Sequence, residues 1–244
     1  VPEVPTNAAP GYFIFETQDG FYFRGIDSLI SATPYPVSYV YRDVATFCDQ
    51  SNFRILKYEF VKPSGNMFSQ QGSGINSKNV FMNPATWETS EVVIKAVDKI
   101  LKKMGSEEIN NIYQGDGKGD HSKTNFHILN SGNFVVGIGS TVNNDPSTGL
   151  FWYAAGRMRY DLIFSRMIQM AVPCNLELRA GMVIKCEFPA LTDTPQEGVS
   201  DEKISGKYLI VNLAHEFTSN QQTGSLTHLT IVRDTDGVYT LEED

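Results

Sequence analysis

The final third of the chain carries the plainest pattern. Residues 166–172, 181–188, 206–217 and 226–234 are short runs rich in β-branched and aromatic residues, bounded by Pro173, Gly181, Gly206 and Asp234. Apolar positions recur every second residue: Leu209, Val211 and Leu213 in the third run, then Leu226, His228, Thr230 and Val232 in the fourth. That spacing predicts strands with one dry side. Residues 192–205 are acidic, contain Pro195 and Gly198, and read as an exposed loop.

Residues 11–25 predict a hairpin, with Asp19-Gly20 as a type I′ turn and aromatics on both arms to fix the register. Residues 26–30 follow as a short helical turn or a loop entry. Residues 43–50 predict a short helix. Residues 53–61 predict a strand with Phe53, Ile55, Lys57, Glu59 and Val61 on one face. Residues 63–79 are rich in Gly, Ser, Asn and Gln and read as a loop. The strongest helical spacing lies in 84–104: Val93, Val97, Ile100, Leu101 and Met104 follow a possible cap at Asn83 and Pro84, and Gly105 ends the run. A polar stretch, 105–131, comes next. Residues 133–138 predict a strand, 140–149 a turn-rich loop, and 150–164 a helix with Trp152, Ala155, Met158 and Leu162 on one side.

The expected class is therefore α+β, mostly antiparallel β, with one β-rich domain formed by residues 11–62 and 130–235. A helix-bearing insertion is expected at 63–129, a linker at 1–10 and an acidic tail at 236–244. A chain of 244 residues can bury a core of this kind, and 20% charged residues suit a globular protein. The chain opens on Val1, and Pro2, Pro5 and Pro10 give the first ten residues the look of a linker from a preceding part.

A net charge of −8 argues against a protein that wraps nucleic acid, which needs clustered cations. It suits a surface that DNA passes without sticking. Three cysteines, Cys48, Cys174 and Cys186, match neither a disulfide framework nor a zinc pattern. No apolar run is long enough to span a bilayer.

Candidate chemistry is sparse. Asp116-Gly-Lys-Gly-Asp-His121 offers ligand types, but a calcium loop would need Glu at its twelfth position, where His127 stands. The histidines form no His-Glu-x-x-His pair, and no Gly-x-Ser-x-Gly elbow or dinucleotide fingerprint occurs. His215 and His228 are placed to face each other on neighbouring strands, most simply as sheet residues. No catalytic residue, metal or cofactor is expected.

The order of motifs resembles the baseplate hub proteins of contractile-tailed (myovirus) bacteriophages. The resemblance rests on residues 172–184 (VPCNLELRAGMVI), Phe188-Pro189, 205–211 (SGKYLIV), His215-Glu-Phe217 and Arg233-Asp234, together with 15–23 (FETQDGFYF) and 26–29. Cys174 stands where the family often has Gly. The positions it marks are Asp19, Gly20, Gly181, Gly206, Tyr208, His215, Phe217, Arg233 and Asp234, and they are structural ones.

The resemblance implies a tube-type barrel and a homotrimer arranged as a pseudo-sixfold ring. Such a ring joins the tail tube to the central spike and lets DNA pass. The implied location is the virion's tail baseplate, after assembly in the host cytoplasm and without membrane insertion. Alternatives are a hub-like subunit of a bacterial contractile injection machine, a tail-associated cell-wall hydrolase and a receptor-binding module.

Overall fold

The structure, a computed structural model, describes residues 11–41, 53–62, 77–84, 87, 89–94, 102–105, 123–128, 146–190, 200–218 and 224–235. The expectations for residues 1–10, 43–50, 116–121, 133–138 and 236–244 lie outside them. The fold is α+β and mostly antiparallel β. Two compact units divide the chain: one takes 12–64, 102–107 and 163–244, the other 1–11, 65–101 and 108–162. Of the stretch 130–235 that the sequence reading gave to one domain, this grouping places the described residues 146–162 in the second unit.

The first of these units is the barrel. Its strands are β3 (Tyr39–Tyr41), β4 (Arg54–Ile55), β5 (Lys57–Lys62), β9 (Arg166–Pro173), β10 (Val183–Glu187), β11 (Gly206–Glu216) and β12 (Leu226–Arg233), hydrogen-bonded in the order β4-β3-β10-β11-β12-β9-β5. The two ends of that order are consecutive in the chain. β4 pairs parallel with β3, the chain bends at Leu56, and β5 pairs antiparallel with β9. The Leu56 N–H donates to the Ala171 carbonyl of β9 at 2.8 Å. One bent segment thus bridges both ends and nearly closes the sheet, which removes most of the exposed edge that an open sheet would present.

This bend corrects the expected strand face at 53–61. Ile55 is fully buried inside, while Lys57 and Glu59 point outward and Tyr58 and Phe60 pack inward. Alternation on β9 held as read, whereas on β12 the dry side is Thr227, Leu229 and Ile231, and the row Leu226, His228, Thr230 and Val232 faces outward. On β11 a bulge between Ile210 and Asn212 shifts the phase, so Leu209 and Val211 face outward and Leu213 inward.

The interior is packed by Ile168, Met170, Val172, Ile184, Cys186, Phe188, Tyr208, Ile210, Leu229 and Ile231, all buried. Truncating one of the aliphatic members to Ala would cost about 2–5 kcal/mol. The outer face of β10-β11-β12 is covered as well. A hairpin of β1 (Tyr12–Thr17) and β2 (Gly20–Gly25), then the helix α1 (Ile26–Ile30), bring Phe13, Phe15, Ile26, Leu29 and Ile30 onto Val183, Leu209 and Val232. Ile26, Leu29 and Ile30 fall at i, i+3 and i+4, so this short helix has one buried stripe.

The second unit corrects the expected helix at 84–104. Its sheet has the order β7-β6-β8, with β6 (Ser77–Met82), β7 (Thr89–Ile94) and β8 (Lys123–Ile128). β7 returns antiparallel along β6, and β8 runs parallel to it. Thr89, Val92, Val93 and Ile94 are β-branched and favour a pleated surface over a helix. Asn83 and Pro84 serve a turn closed by the Trp87 N–H on the Asn83 carbonyl at 2.8 Å, with Trp87 at φ 59°. Met104, read as the last helical contact, sits instead in the barrel's outer layer.

β8 likewise occupies part of the expected 105–131 loop, and β6 begins inside the expected 63–79 loop. The helix predicted at 150–164 is present as α2 (Pro146–Ile163), beginning four residues early within the expected 140–149 loop.

Candidate assembly site

Gly206, Tyr208 and Arg233 come together at one end of the barrel. Arg233, the last residue of β12, is fully buried. Its Nη1 donates to the carbonyls of Ile204 at 3.1 Å and Ser205 at 2.8 Å. Its Cζ lies 5.3 Å from the centre of the Tyr208 ring. The Tyr208 hydroxyl donates to the same Ile204 carbonyl. Gly206 is glycine for two reasons: its φ is +138°, and a Cβ there would lie 3.0 Å from Arg233 Nη2.

Arg166, paired with Arg233 across β9 and β12, donates to the Lys203 carbonyl at 2.9 Å. Ser205 completes the latch, its Oγ accepting the Phe188 N–H at 3.0 Å. Charge-assisted bonds to carbonyls make this a strong backbone clamp on residues 203–205. Asp234 has a different task. Its Oδ1 accepts the Met104 N–H at 2.9 Å and the Thr235 hydroxyl at 3.0 Å, holding segment 102–105 on the barrel.

Asp19, Gly20 and Gly181 form a second lock. Asp19 pairs with Arg179, and the Phe15 ring lies so close over Gly181 (φ +84°) that a Cβ there would sit 2.5 Å from its Cζ. The Gly181 N–H donates to the Ile210 carbonyl at 2.8 Å, fixing this turn to β11. The hairpin turn itself differs from expectation. Thr17 pairs with Gly20, so Gln18 and Asp19 are the two loop residues, and both have negative φ. A type I′ turn is excluded; Gly20 carries the positive φ, at +131°, after the turn.

His215 and Phe217 stand apart from both locks, on the far stretch of β11. His215 Nδ1 is 2.9 Å from Thr227 Oγ1, and Phe217 is exposed. His215 and His228 do not face each other. The register pairs His215 with Thr227 and Ala214 with His228, which puts the two imidazoles on opposite faces of the sheet. His228 Nε2 instead lies 2.9 Å from Glu216. A cavity of about 310 Å³ opens on that outer wall, lined by Lys57, Glu59, Gln169, Asn212, His228 and Thr230 with Ala171 and Ala214 among them.

Titratable groups serve packing. Burial pushes the Cys186 thiol far up, against the opposing pull of Arg233, so it is not a thiolate at neutral pH. Burial pushes Tyr39 up to about 12, and its hydroxyl accepts from Asn175 Nδ2 at 2.9 Å. In the other unit His127 stacks on Phe81 at 4.9 Å, and its Nε2 is 3.1 Å from Asn79 Oδ1; burial, then Arg157, holds its pKa below the usual value. Among the described residues no group of three or more His, Cys, Asp or Glu could hold a metal ion, and no helix is long and apolar enough to cross a membrane.

Sequence reasoning missed the outward row of the hairpin. Ile14, Phe21 and Phe23 are exposed, on the side opposite Phe13 and Phe15. The signal was present, since both alternation classes of 12–15 are apolar where a half-buried strand would have one polar class.

The fold and site define an α+β protein built on a nearly closed barrel in which Gly181, Arg233 and Asp234 secure neighbouring backbone. No protein-family model matches the chain, and no curated protein matches it. Among solved structures it is similar to the 43 kDa tail protein of prophage MuSo2 from Shewanella oneidensis, with a TM-score of 0.42 and 10% identity over 92% of this chain and 51% of that one. The chain thus spans about half the length of that protein.

Proposed function

We propose that the chain is a structural, non-enzymatic subunit of a contractile phage tail, acting in the baseplate hub. In this reading copies assemble as a threefold ring that joins the tail tube to the central spike and lets DNA pass without specific binding. The observation that carries it is the placement of the hub-like run. Residues 172–184, 205–211 and 233–234 fall on successive barrel strands and their turns, and Gly181, Gly206 and Arg233 hold backbone there. An acidic balance of −8 supports a channel that DNA slides past. The pseudo-sixfold form of such a ring calls for two barrels per chain, and the described residues build one.

Negative-stain microscopy of the purified chain tests the reading. Threefold rings with a central opening are expected. Turnover of peptidoglycan by the chain, abolished by single Glu or Asp substitutions, would overturn it.

A further inference from the structure

The cavity of about 310 Å³ on the barrel's outer wall spans four strands, β5, β9, β12 and β11. The strand registers lay its lining out as a grid. Lys57, Ala171, His228 and Ala214 stand side by side, and Glu59, Gln169, Thr230 and Asn212 form the next row. Neighbouring strands are about 4.8 Å apart, so each row spans about 14 Å. Ala171 lies between Lys57 and His228, and Ala214 lies beyond His228. Methyl groups therefore floor the hollow where longer side chains would fill it.

A β-bulge supplies part of this wall. The register shifts between Ile210 and Asn212, which turns Asn212, Ala214 and Glu216 outward. Unbroken alternation from the buried Ile210 would have sent all three inside. Bulges re-aim side chains in this way beside binding sites.

The lining mixes donors with acceptors. The Glu59 carboxylate accepts, the Lys57 ammonium donates, and Gln169, Asn212 and Thr230 do both. Charges are matched locally. Lys57 and Glu59 stand two residues apart on one face, and His228 Nε2 lies 2.9 Å from Glu216. An apolar ligand would strip water from these groups and return no hydrogen bond. An anion would meet Glu59 and Glu216 as well as Lys57. A neutral ligand with many hydroxyls meets each need: every hydroxyl both donates and accepts, and the C–H face of a sugar ring can lie on the alanine methyls. The volume falls at the small end of ligand pockets, which run from roughly 300 to 1,000 Å³.

We infer that this wall binds a short neutral saccharide, seated on Ala171 and Ala214 and hydrogen-bonded by Glu59, Gln169 and Asn212. Binding here requires no assembly of copies, so its failure and the failure of the hub reading are separate results.

Titration calorimetry of the full 244-residue chain with maltose and with N,N′-diacetylchitobiose tests it. Saturable binding of at least one disaccharide is expected. Gln169→Ala/Asn212→Ala should weaken that binding by about tenfold or more, as loss of two hydrogen-bonding groups does. Ala171→Leu should weaken it as well by raising the floor. These side chains point away from the barrel interior, and an unchanged melting curve checks that each variant is folded. Saturation by neither disaccharide overturns the site, and so does saccharide binding that both variants leave unchanged. Inorganic phosphate that displaces the disaccharide, and is lost with Lys57→Ala but not with Gln169→Ala/Asn212→Ala, would overturn it in favour of an anion site.

Discussion

Arg233 lies across Gly206, its Nη2 only 3.0 Å from where a Cβ would project. The same guanidinium holds the Ile204 and Ser205 carbonyls just upstream. Glycine and arginine are therefore one device: the first leaves the space and takes the φ of +138° that the second needs for its reach. Gly206→Ala should lower stability by about 1–3 kcal/mol. Arg233→Met should cost about 3 kcal/mol, since two buried carbonyls lose a charged donor. In the Arg233→Met background, Gly206→Ala should cost less than it does alone, because only backbone strain remains. Urea denaturation of the double-mutant cycle measures the coupling; strict additivity would separate the two residues.

The hairpin lock separates packing from charge. Gly181→Ala must move the Phe15 ring and adopt a φ of +84°, and it should cost about 2 kcal/mol or more. Asp19→Ala removes a partly exposed ion pair with Arg179 and should cost no more than about 1 kcal/mol. Thermal melts of both variants check the order of effects.

Alkaline pH should loosen the barrel. Tyr39 titrates at 10.0 when unfolded and at about 12 when folded, raised chiefly by burial. The unfolded chain thus releases its proton first as pH rises. The contribution is whole below pH 10 and is lost as pH rises towards 12, by on the order of 1–2 kcal/mol. Cys186 shifts in the same direction for the same reason. Denaturation midpoints followed beside tyrosinate absorbance test this, and a thiol reagent should leave Cys186 unlabelled until unfolding while reaching the half-buried Cys174.

Acid should act on the other unit with the opposite sign. Burial, then Arg157, lowers the His127 pKa from 6.5. Below that value the unfolded chain binds the proton more readily, so stability is whole above pH 6.5 and declines as pH falls through the folded pKa. NMR titration of His127 should give a midpoint below the ordinary value; a midpoint at or above it would contradict its burial beside Arg157.

Much of the barrel was legible because its strands obey a period of two over a dry interior. Ile168, Met170 and Val172 betray their face through their neighbours alone, whereas on β12 Leu229 and Ile231 take the interior in place of the row read from Leu226 to Val232. What alternation cannot encode is a change of phase: the bend at Leu56 and the bulge after Ile210 each turn later residues to the other side.

Residues 84–104 misled for a related reason. Val93, Val97, Ile100 and Met104 match a helical period, yet Val93 belongs to β7 and Met104 to the barrel's outer layer. Their partners lie far along the chain and are invisible to local spacing. Gly181, Gly206 and Arg233 were marked by the resemblance alone, and the carbonyls that Arg233 holds and the outward aromatics of the hairpin emerged only in three dimensions.

The mass of the native chain in solution tests the central claim most directly. Native mass spectrometry should give three times the 27.2 kDa chain mass as the dominant species. A single species at 27.2 kDa over the whole accessible concentration range would contradict an assembling hub subunit.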